Sequence, residues 1–264
     1  MATLTLAAAR RPRSYVRVKG PDAVDFLNRM LSNDVPAEGS ADALLLTAKA
    51  RVIAPLLVWR RGVEDVLLLM EPELGEVVRA QLTRMRFAAK CEIEPEEHVS
   101  TIILGAGDGI PNRDYGQPAI EVLDADVEAT LDDDELERLR IEAATPRYGR
   151  EIDDRVLPAE AGLDGWAISF SKGCYPGQEP VARQHFRGKV NRKLRVLEIE
   201  GDAPEPETPV VHDGKDVGRV TSAVQGLALA YVRVAVPEDA ALEVGGRAAR
   251  LKSSTATLTD SPRP

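Results

Sequence analysis

Residues 172–179 read Lys-Gly-Cys-Tyr-Pro-Gly-Gln-Glu and set a thiol in turn chemistry. Cys174 is one of two cysteines in the chain. Gly173 and Gly177 flank it, permitting positive φ and close backbone approach, and Pro176 stiffens the turn. The ammonium of Lys172 nearby favours the thiolate, the nucleophilic form of cysteine. The glycines also leave room for a flat ligand. The same residues equally suit a tight turn around a buried cysteine, a common setting for isolated thiols.

A second chemical feature follows directly. Arg183, Arg187, Lys189, Arg192, Lys193 and Arg195 crowd together, with no acid between Pro180 and Leu197. Arginines suit bidentate binding of carboxylate or phosphate, so the run reads as an anion site or a surface for an acidic partner. It reads equally as a solvated strand and turn whose charges pair with acids elsewhere. Arg140, Glu142 and Tyr148 stand where a helix gives way to a long loop, but Arg140 and Glu142 are two positions apart and do not share a helix face.

Other chemistries lack their residues. His98, His185 and His212 are scattered, and the cysteines lack metal-ligand spacing. One thiolate beside the turn cannot by itself hold an iron–sulfur cluster. No Gly-x-Ser-x-Gly elbow marks a serine hydrolase. Gly105-Ala-Gly-Asp-Gly109 superficially resembles a dinucleotide loop, but its third glycine is misplaced and Pro111-Asn112 would break the helix that should follow.

The composition narrows the classes further. The chain has 264 residues, more than most single domains. A net charge of −9 argues against general nucleic-acid binding, which needs a basic footprint. No apolar run is long enough to span a membrane. Met1 to Arg13 places its arginines after its apolar residues, the reverse of a secretory signal. It could pass for a short transit peptide; a frayed N-terminus in a cytoplasmic protein is the preferred expectation. Cys91 and Cys174 could form one disulfide, but nothing suggests a secreted disulfide scaffold.

The positioning elements are legible in outline. Tyr15 to Val18 alternates as a strand, and an amphipathic helix follows with Val24, Leu27, Met30 and Leu31 at helical spacing. Residues 43–48, 52–60 and 66–70 read as strands. Residues 73–86 read as a helix with Leu74, Val77, Val78, Leu82 and Met85 inward. Short strands near 91–94 and 99–104 precede a glycine-rich loop over 105–118. The acids opening residues 132–144 predict a helix, and a long irregular segment runs from Thr145 to Pro176. A short helix over 178–186 follows the glycine turn. From Leu194 to Leu251, short β pieces separated by turns predict a small β-barrel or sandwich.

The octapeptide closely resembles the signature of the YgfZ family, folate-binding proteins related to the T-protein (aminomethyltransferase) of the glycine cleavage system. Arg140-Ile-Glu-Ala, Tyr148-Gly149 and Leu157-Pro-Ala-Glu-Ala-Gly-Leu163 resemble a segment shared by both groups. Gly20-Pro-Asp-Ala-Val-Asp-Phe-Leu27 with Ser32-Asn-Asp-Val35 is similar too, as are Val217-Gly-Arg-Val-Thr-Ser222 and Gly226-Leu-Ala-Leu-Ala-Tyr231. The resemblance spans roughly residues 13 to 251 and rests most specifically on the octapeptide.

It implies an α+β fold: interleaved α/β portions around a central folate channel, plus a C-terminal antiparallel β-barrel. The expected boundaries are 1–190 for the folate-binding region and 191–253 for the barrel, with 254–264 a disordered tail. The implied ligand is tetrahydrofolate or a derivative. Arg140 would meet its glutamate tail, and Glu142, Tyr148, Tyr175, Gln178 and Arg183 would join the binding site. Cys174 would be the functional thiol, with Lys172 and Tyr175 shaping its surroundings. The implied role is iron–sulfur cluster assembly or repair in client enzymes, by a monomer with no nucleic-acid or membrane partner.

The rival reading is a folate-dependent aminomethyl or one-carbon transferase. T-proteins carry an Asn-Ala motif and a catalytic aspartate after the third strand; here the stretch reads Leu69-Met-Glu-Pro-Glu-Leu-Gly75, and the aspartate is missing. Glu71 or Glu73 could substitute, but a longer carboxylate shifts a proton-transfer geometry that tolerates little error. T-proteins also lack the Lys-Gly-Cys-Tyr element. A scaffold with a vestigial folate site is the third and weakest reading.

Overall fold

Two sheets share the first half of the chain by alternation, and the crossings between them create the central site. The computed structural model describes residues 7–252. Ala8–Arg10 forms β1 and Ser14–Lys19 forms β2, followed by helix α1 (Ala23–Met30). Then come β3 (Gly39–Leu46), β4 (Val52–Gly62) and β5 (Asp65–Met70), a 3-10 turn over Pro72–Leu74, and α2 (Gly75–Met85). Strands β6 (Glu92–Glu96), β7 (Ser100–Leu104), β8 (Ile110–Asn112) and β9 (Ala119–Leu123) precede α3 (Asp133–Glu142) and α4 (Gln178–Arg187). The final run is β10 (Arg192–Ile199), β11 (Pro209–His212), β12 (Lys215–Val224), β13 (Leu227–Arg233), β14 (Ala241–Val244) and β15 (Arg247–Leu251).

The first sheet has the order β3-β4-β5-β2-β6 and the second β1-β7-β9-β8. Because β1 pairs with β7 while β2 pairs with β5 and β6, the chain crosses between the sheets at residues 11–13. This corrects the expectation of a frayed segment up to Arg13: Ala8 and Ala9 are buried strand residues, and Arg11 is buried with them. Residues 1–6 and the expected tail at 254–264 lie outside the described residues.

The first sheet is buried on both faces. Val66, Leu68 and Met70 of β5 pack under α1 and α2, while Leu67 and Leu69 face the other way with Tyr15, Leu57 and Ile110. This explains why β5 reads as a continuous apolar run rather than an alternating one. In α2 the inward residues include Val78 and Leu82, but Val77 is 49% exposed, against expectation. It follows Glu76 on the solvent side of the helix, one step off the packed stripe.

Helix α3 is opened by a capping box. Asp132 accepts from the Glu135 backbone at 2.8 Å, and Glu135 accepts from the Asp132 backbone at 2.9 Å. Its Ile141 packs on Leu227 and Leu229 of β13. The final six strands close as an antiparallel barrel in the order β10-β13-β12-β11-β14-β15, with β10 pairing β15. Between α3 and α4 the chain is irregular apart from a 3-10 turn at Leu163–Gly165. That stretch still builds a core: Ile152, Val156, Ala161, Leu163 and Ala167 pack with Leu44 and Leu46 of β3 and with Tyr231 of β13.

The two glycines of the octapeptide do different jobs. Gly177 has φ +85° at the start of α4, and a Cβ there would stand 2.6 Å from the Thr47 carbonyl oxygen. Gly173 has nothing within 4 Å of such a Cβ and is not in a positive-φ conformation. Only Gly177 therefore needs to be glycine on steric grounds. Gly177→Ala is expected to cost about 1–3 kcal/mol of unfolding free energy. Gly173→Ala should stay within about 0.5 kcal/mol. Urea midpoints of the two variants check this; equal midpoints would contradict the packing of the turn on the β3–β4 connection.

Candidate functional site

A polar cavity lies where the first sheet, the inter-sheet crossing, the end of α3 and the irregular segment meet. Its charged lining comprises Arg11, Arg13, Arg113, Arg140 and Arg147 against Asp42, Glu71 and Asp114, and its apolar lining includes Leu56, Leu57 and Trp166. The open space is narrow, about 50 Å³. A ligand with a fused ring needs more than that, so lining groups must move to admit one. Arg113 is suited to it: its side chain is 53% exposed, and it spans from Asp42 at 3.3 Å to the Trp166 ring, 5.5 Å away.

Arginines and carboxylates alternate through the cavity wall. Arg11 forks onto Glu71, donating at 3.1 and 2.5 Å. Arg147 lies 3.7 Å from Glu71 and 3.3 Å from Glu137. Arg140 forks onto Glu137 at 2.9 and 2.6 Å and also donates to Glu151 at 2.9 Å and to the Thr145 carbonyl at 2.7 Å. Glu151 accepts in addition from the Arg147 backbone and from the Ser222 hydroxyl in the barrel. The Tyr231 hydroxyl donates to the Glu151 carbonyl. On the other side Arg13 forks onto Glu121, and Ser100 and Asn112 complete that carboxylate's partners.

Burial alone would push the Glu71 carboxyl up, but the hydrogen bonds and charge of Arg11, aided by Arg13 and Arg147, hold it below its usual value. Glu71 is thus an ionised, tethered carboxylate. Arg147 is different: burial and the neighbouring Arg11 cation lower its pKa, with the acids compensating only in part. Arg147 Nε and Arg11 Nε are buried without a hydrogen-bond partner, and the Tyr115 hydroxyl is in the same state. A cavity wall with unspent arginine donors fits an anionic ligand. Asp42 stands apart: burial, with the nearby Asp114 charge, pushes its carboxyl up to about 7 against the pull of Arg113.

The residues expected from the sequence divide. Arg140 and Tyr148 line the cavity. Arg140, however, is 2% exposed with its guanidinium spent on Glu137, Glu151 and Thr145, so it braces the wall rather than offering a free fork to a glutamate tail. Glu142 points elsewhere: two positions along α3 from Arg140, it faces Arg138 and Lys252 beside the barrel. Tyr175 is buried in the core with Leu44 and Leu46. Gln178 reaches back to the Lys172 carbonyl, and Arg183 lines a separate groove. None of these four belongs to the cavity lining.

Arg192 and Arg195 of the basic run do not converge either. Arg192 forks onto Glu160 and lies over Tyr231, and Arg195 pairs with Glu238. Lys172 is committed to structure: its ammonium donates to the Leu31 and Asn33 carbonyls at 3.0 and 2.6 Å, tying the glycine turn to the end of α1. Cys174 is an exposed free thiol and Cys91 a buried one, so no disulfide joins them. Sequence reasoning missed Arg11, Arg13, Arg147, Glu151 and Asp42. Arg11 and Arg13 did carry a signal, since they stand just before the strand read from the sequence at Tyr15 to Val18.

Similarity to known proteins agrees with this architecture. Residues 191–256 match the family described as CAF17, C-terminal beta-barrel domain. An aminomethyltransferase of Moorella thermoacetica is 38% identical over 100 residues, 36% of this chain but 27% of that enzyme's length. An aminomethyltransferase of Listeria innocua is 26% identical over 296 aligned residues, 90% of this chain and 81% of the enzyme. The crystal structure of the glycine cleavage system aminomethyltransferase T from Bartonella henselae superposes with a TM-score of 0.77 at 20% identity, covering 92% of this chain and 83% of that one. The protein therefore has the mixed α/β fold of that aminomethyltransferase, with a closed six-stranded antiparallel C-terminal barrel.

Two outcomes test this reading of the site. Arg140→Ala leaves Glu137 and Glu151 without their main partner and should cost about 3–5 kcal/mol, measured by urea unfolding. Asp42 holds its proton to higher pH in the native chain than its ordinary 3.8. The stability it contributes is complete below 3.8 and is lost as pH rises to about 7. Asp42→Asn should therefore gain stability relative to wild type as pH rises through that window. A difference that does not change with pH would show that Asp42 titrates normally.

Proposed function

We propose that this protein binds a tetrahydrofolate-type ligand in the central cavity and acts as an accessory factor for iron–sulfur enzymes. The observation that carries the ligand reading is the cavity itself: apolar and aromatic surface beside arginine donors left unsatisfied in the wall. A folate combines a flat heterocycle with a carboxylate tail, and these are the two kinds of surface present. Leu56, Leu57 and Trp166 would hold the ring, and Arg147 and Arg113 the carboxylates. When bound, the group supplies a reduced pterin able to carry one-carbon units. Arg11 and Arg140 serve by keeping Glu71 and Glu137 ionised and in place. The aminomethyltransferase fold and the barrel match to the CAF17 family support the same reading. The iron–sulfur role, and a closer kinship with the YgfZ family, rest on the octapeptide and on an exposed Cys174 that no buried partner restrains.

Aminomethyl transfer is the second reading, favoured by the names of the relatives. Against it, Glu71 is held ionised by a two-pronged arginine contact and is poorly placed to exchange a proton. Glu73 does not line the cavity.

Calorimetric titration of tetrahydrofolate under reducing conditions tests the ligand. Wild type should bind, and Arg147→Ala should weaken binding by about tenfold or more, in line with the loss of a charge-assisted contact. Absence of heat with folded wild type would end the folate reading. Cys174→Ser should keep its unfolding midpoint yet fail to restore iron–sulfur enzyme activity in cells lacking the protein. Full restoration would remove the thiol from the mechanism, and turnover of an aminomethyl donor with tetrahydrofolate would favour the transferase instead.

A further inference from the structure

We propose that the groove between α4 and the 157–164 segment is a docking site for an extended acidic segment of a partner protein. The groove has two continuous halves, of about 430 and 230 Å³, which share Ala159, Asp164, Gln184, His185 and Gly188. It has no lining residue in common with the central cavity.

The floor of the first half is apolar, formed by Leu157, Pro158 and Val181. An aromatic cluster stands at its side. His185 stacks on Phe170 with ring centroids 3.9 Å apart, and Phe186 meets both rings edge-on. Phe186 is 71% exposed, so its outer face is available to cover an apolar side chain. A lone exposed apolar residue means little, but one that extends an apolar groove marks a contact surface.

Charge decides the occupant. Of the groove's two carboxylates, Glu160 is forked by Arg192 and Asp164 lies 3.6 Å from the His185 ring. Two of its lining cations have no such partner. Arg183 lines the first half and Lys193 the second, both are exposed, and neither has an ion-pair partner among the described residues. An apolar floor in a groove that carries two unpaired cations is complementary to a segment with acids beside an apolar residue. The surface stands beside the exposed Cys174, which precedes α4 in the same turn. A bound segment would therefore bring its own protein close to the thiol.

Fluorescence anisotropy with the full chain tests this. The probe is a labelled peptide of glutamates around a central leucine, and its controls replace the glutamates by lysine or the leucine by glycine. At low salt the acidic peptide should bind and both controls should bind weakly or not at all. Arg183→Glu combined with Lys193→Glu should weaken binding by about tenfold or more, as should Phe186→Ser, and added salt should weaken the wild type. All three substitutions are on exposed side chains, and circular dichroism checks their folding. No binding by the acidic peptide, or equal binding by the charge-reversed variant, overturns the proposal. Sedimentation showing a dimer that dissociates in Phe186→Ser would assign the groove to a second copy of the chain and overturn it too.

Discussion

A buried chain of alternating charges runs through the centre of this protein, from Arg11 through Glu71, Arg147, Glu137 and Arg140 to Glu151. Its six members come from four parts of the fold: Arg11 from the crossing between sheets, Glu71 from the end of β5, Glu137 and Arg140 from α3, and Arg147 and Glu151 from the irregular segment. Glu151 hands the chain on to the barrel through Ser222, while Tyr231 of the barrel donates to its carbonyl. Removing water from such groups is costly unless every one is paired, so their burial enforces one relative placement of sheets, helix and barrel. Apolar packing alone would be less exacting. Leucine and valine surfaces tolerate sliding, whereas a forked arginine contact tolerates little.

The same constraint explains why a polar cavity survives in the middle of the molecule. Arginines forked onto carboxylates cannot collapse inward without losing those contacts. The wall therefore keeps donors such as Arg147 Nε and Arg11 Nε that the protein itself does not satisfy. Asp42, on the first sheet and away from the forked pairs, shows the opposite balance: with Arg113 as its one close cation, burial prevails and its proton is held towards neutrality. One cavity thus contains carboxylates of two kinds, one set firmly ionised and one on the edge of ionisation. Titratable groups pushed apart in this way within one cleft mark a candidate functional site.

The octapeptide occupies a separate face and is rigid for separate reasons. Gly177 lets the turn approach the Thr47 carbonyl, and the Lys172 ammonium fastens it to the carbonyls that end α1. Tyr175 is sunk into the core between them. What remains on the outside is Cys174, displayed on a turn held at three points. The lysine that the sequence suggests as an activator of the thiol is instead an anchor of the backbone that presents it.

Local patterns in the sequence determined a good deal. The apolar run of β5, the amphipathic stripe of α1, the acids that open α3 and the turn-separated β pieces after Leu194 all specify their elements through neighbours a few residues away. The glycine turn and its thiol were legible for the same reason. Arg140 and Tyr148 both line the cavity, Arg140 as a brace. Only the tertiary structure decided which charges meet. Arg11 finds Glu71, Arg13 finds Glu121 and Ser222 finds Glu151 across separations of 60, 108 and 71 residues. No periodicity records such pairs, since an ion pair is set by where two sheets and a barrel bring their edges together. The basic run after the turn shows the converse. Its cations adjoin in sequence, but Arg192 goes to Glu160 and Arg195 to Glu238, while Arg183 and Lys193 have no ion-pair partner among the described residues.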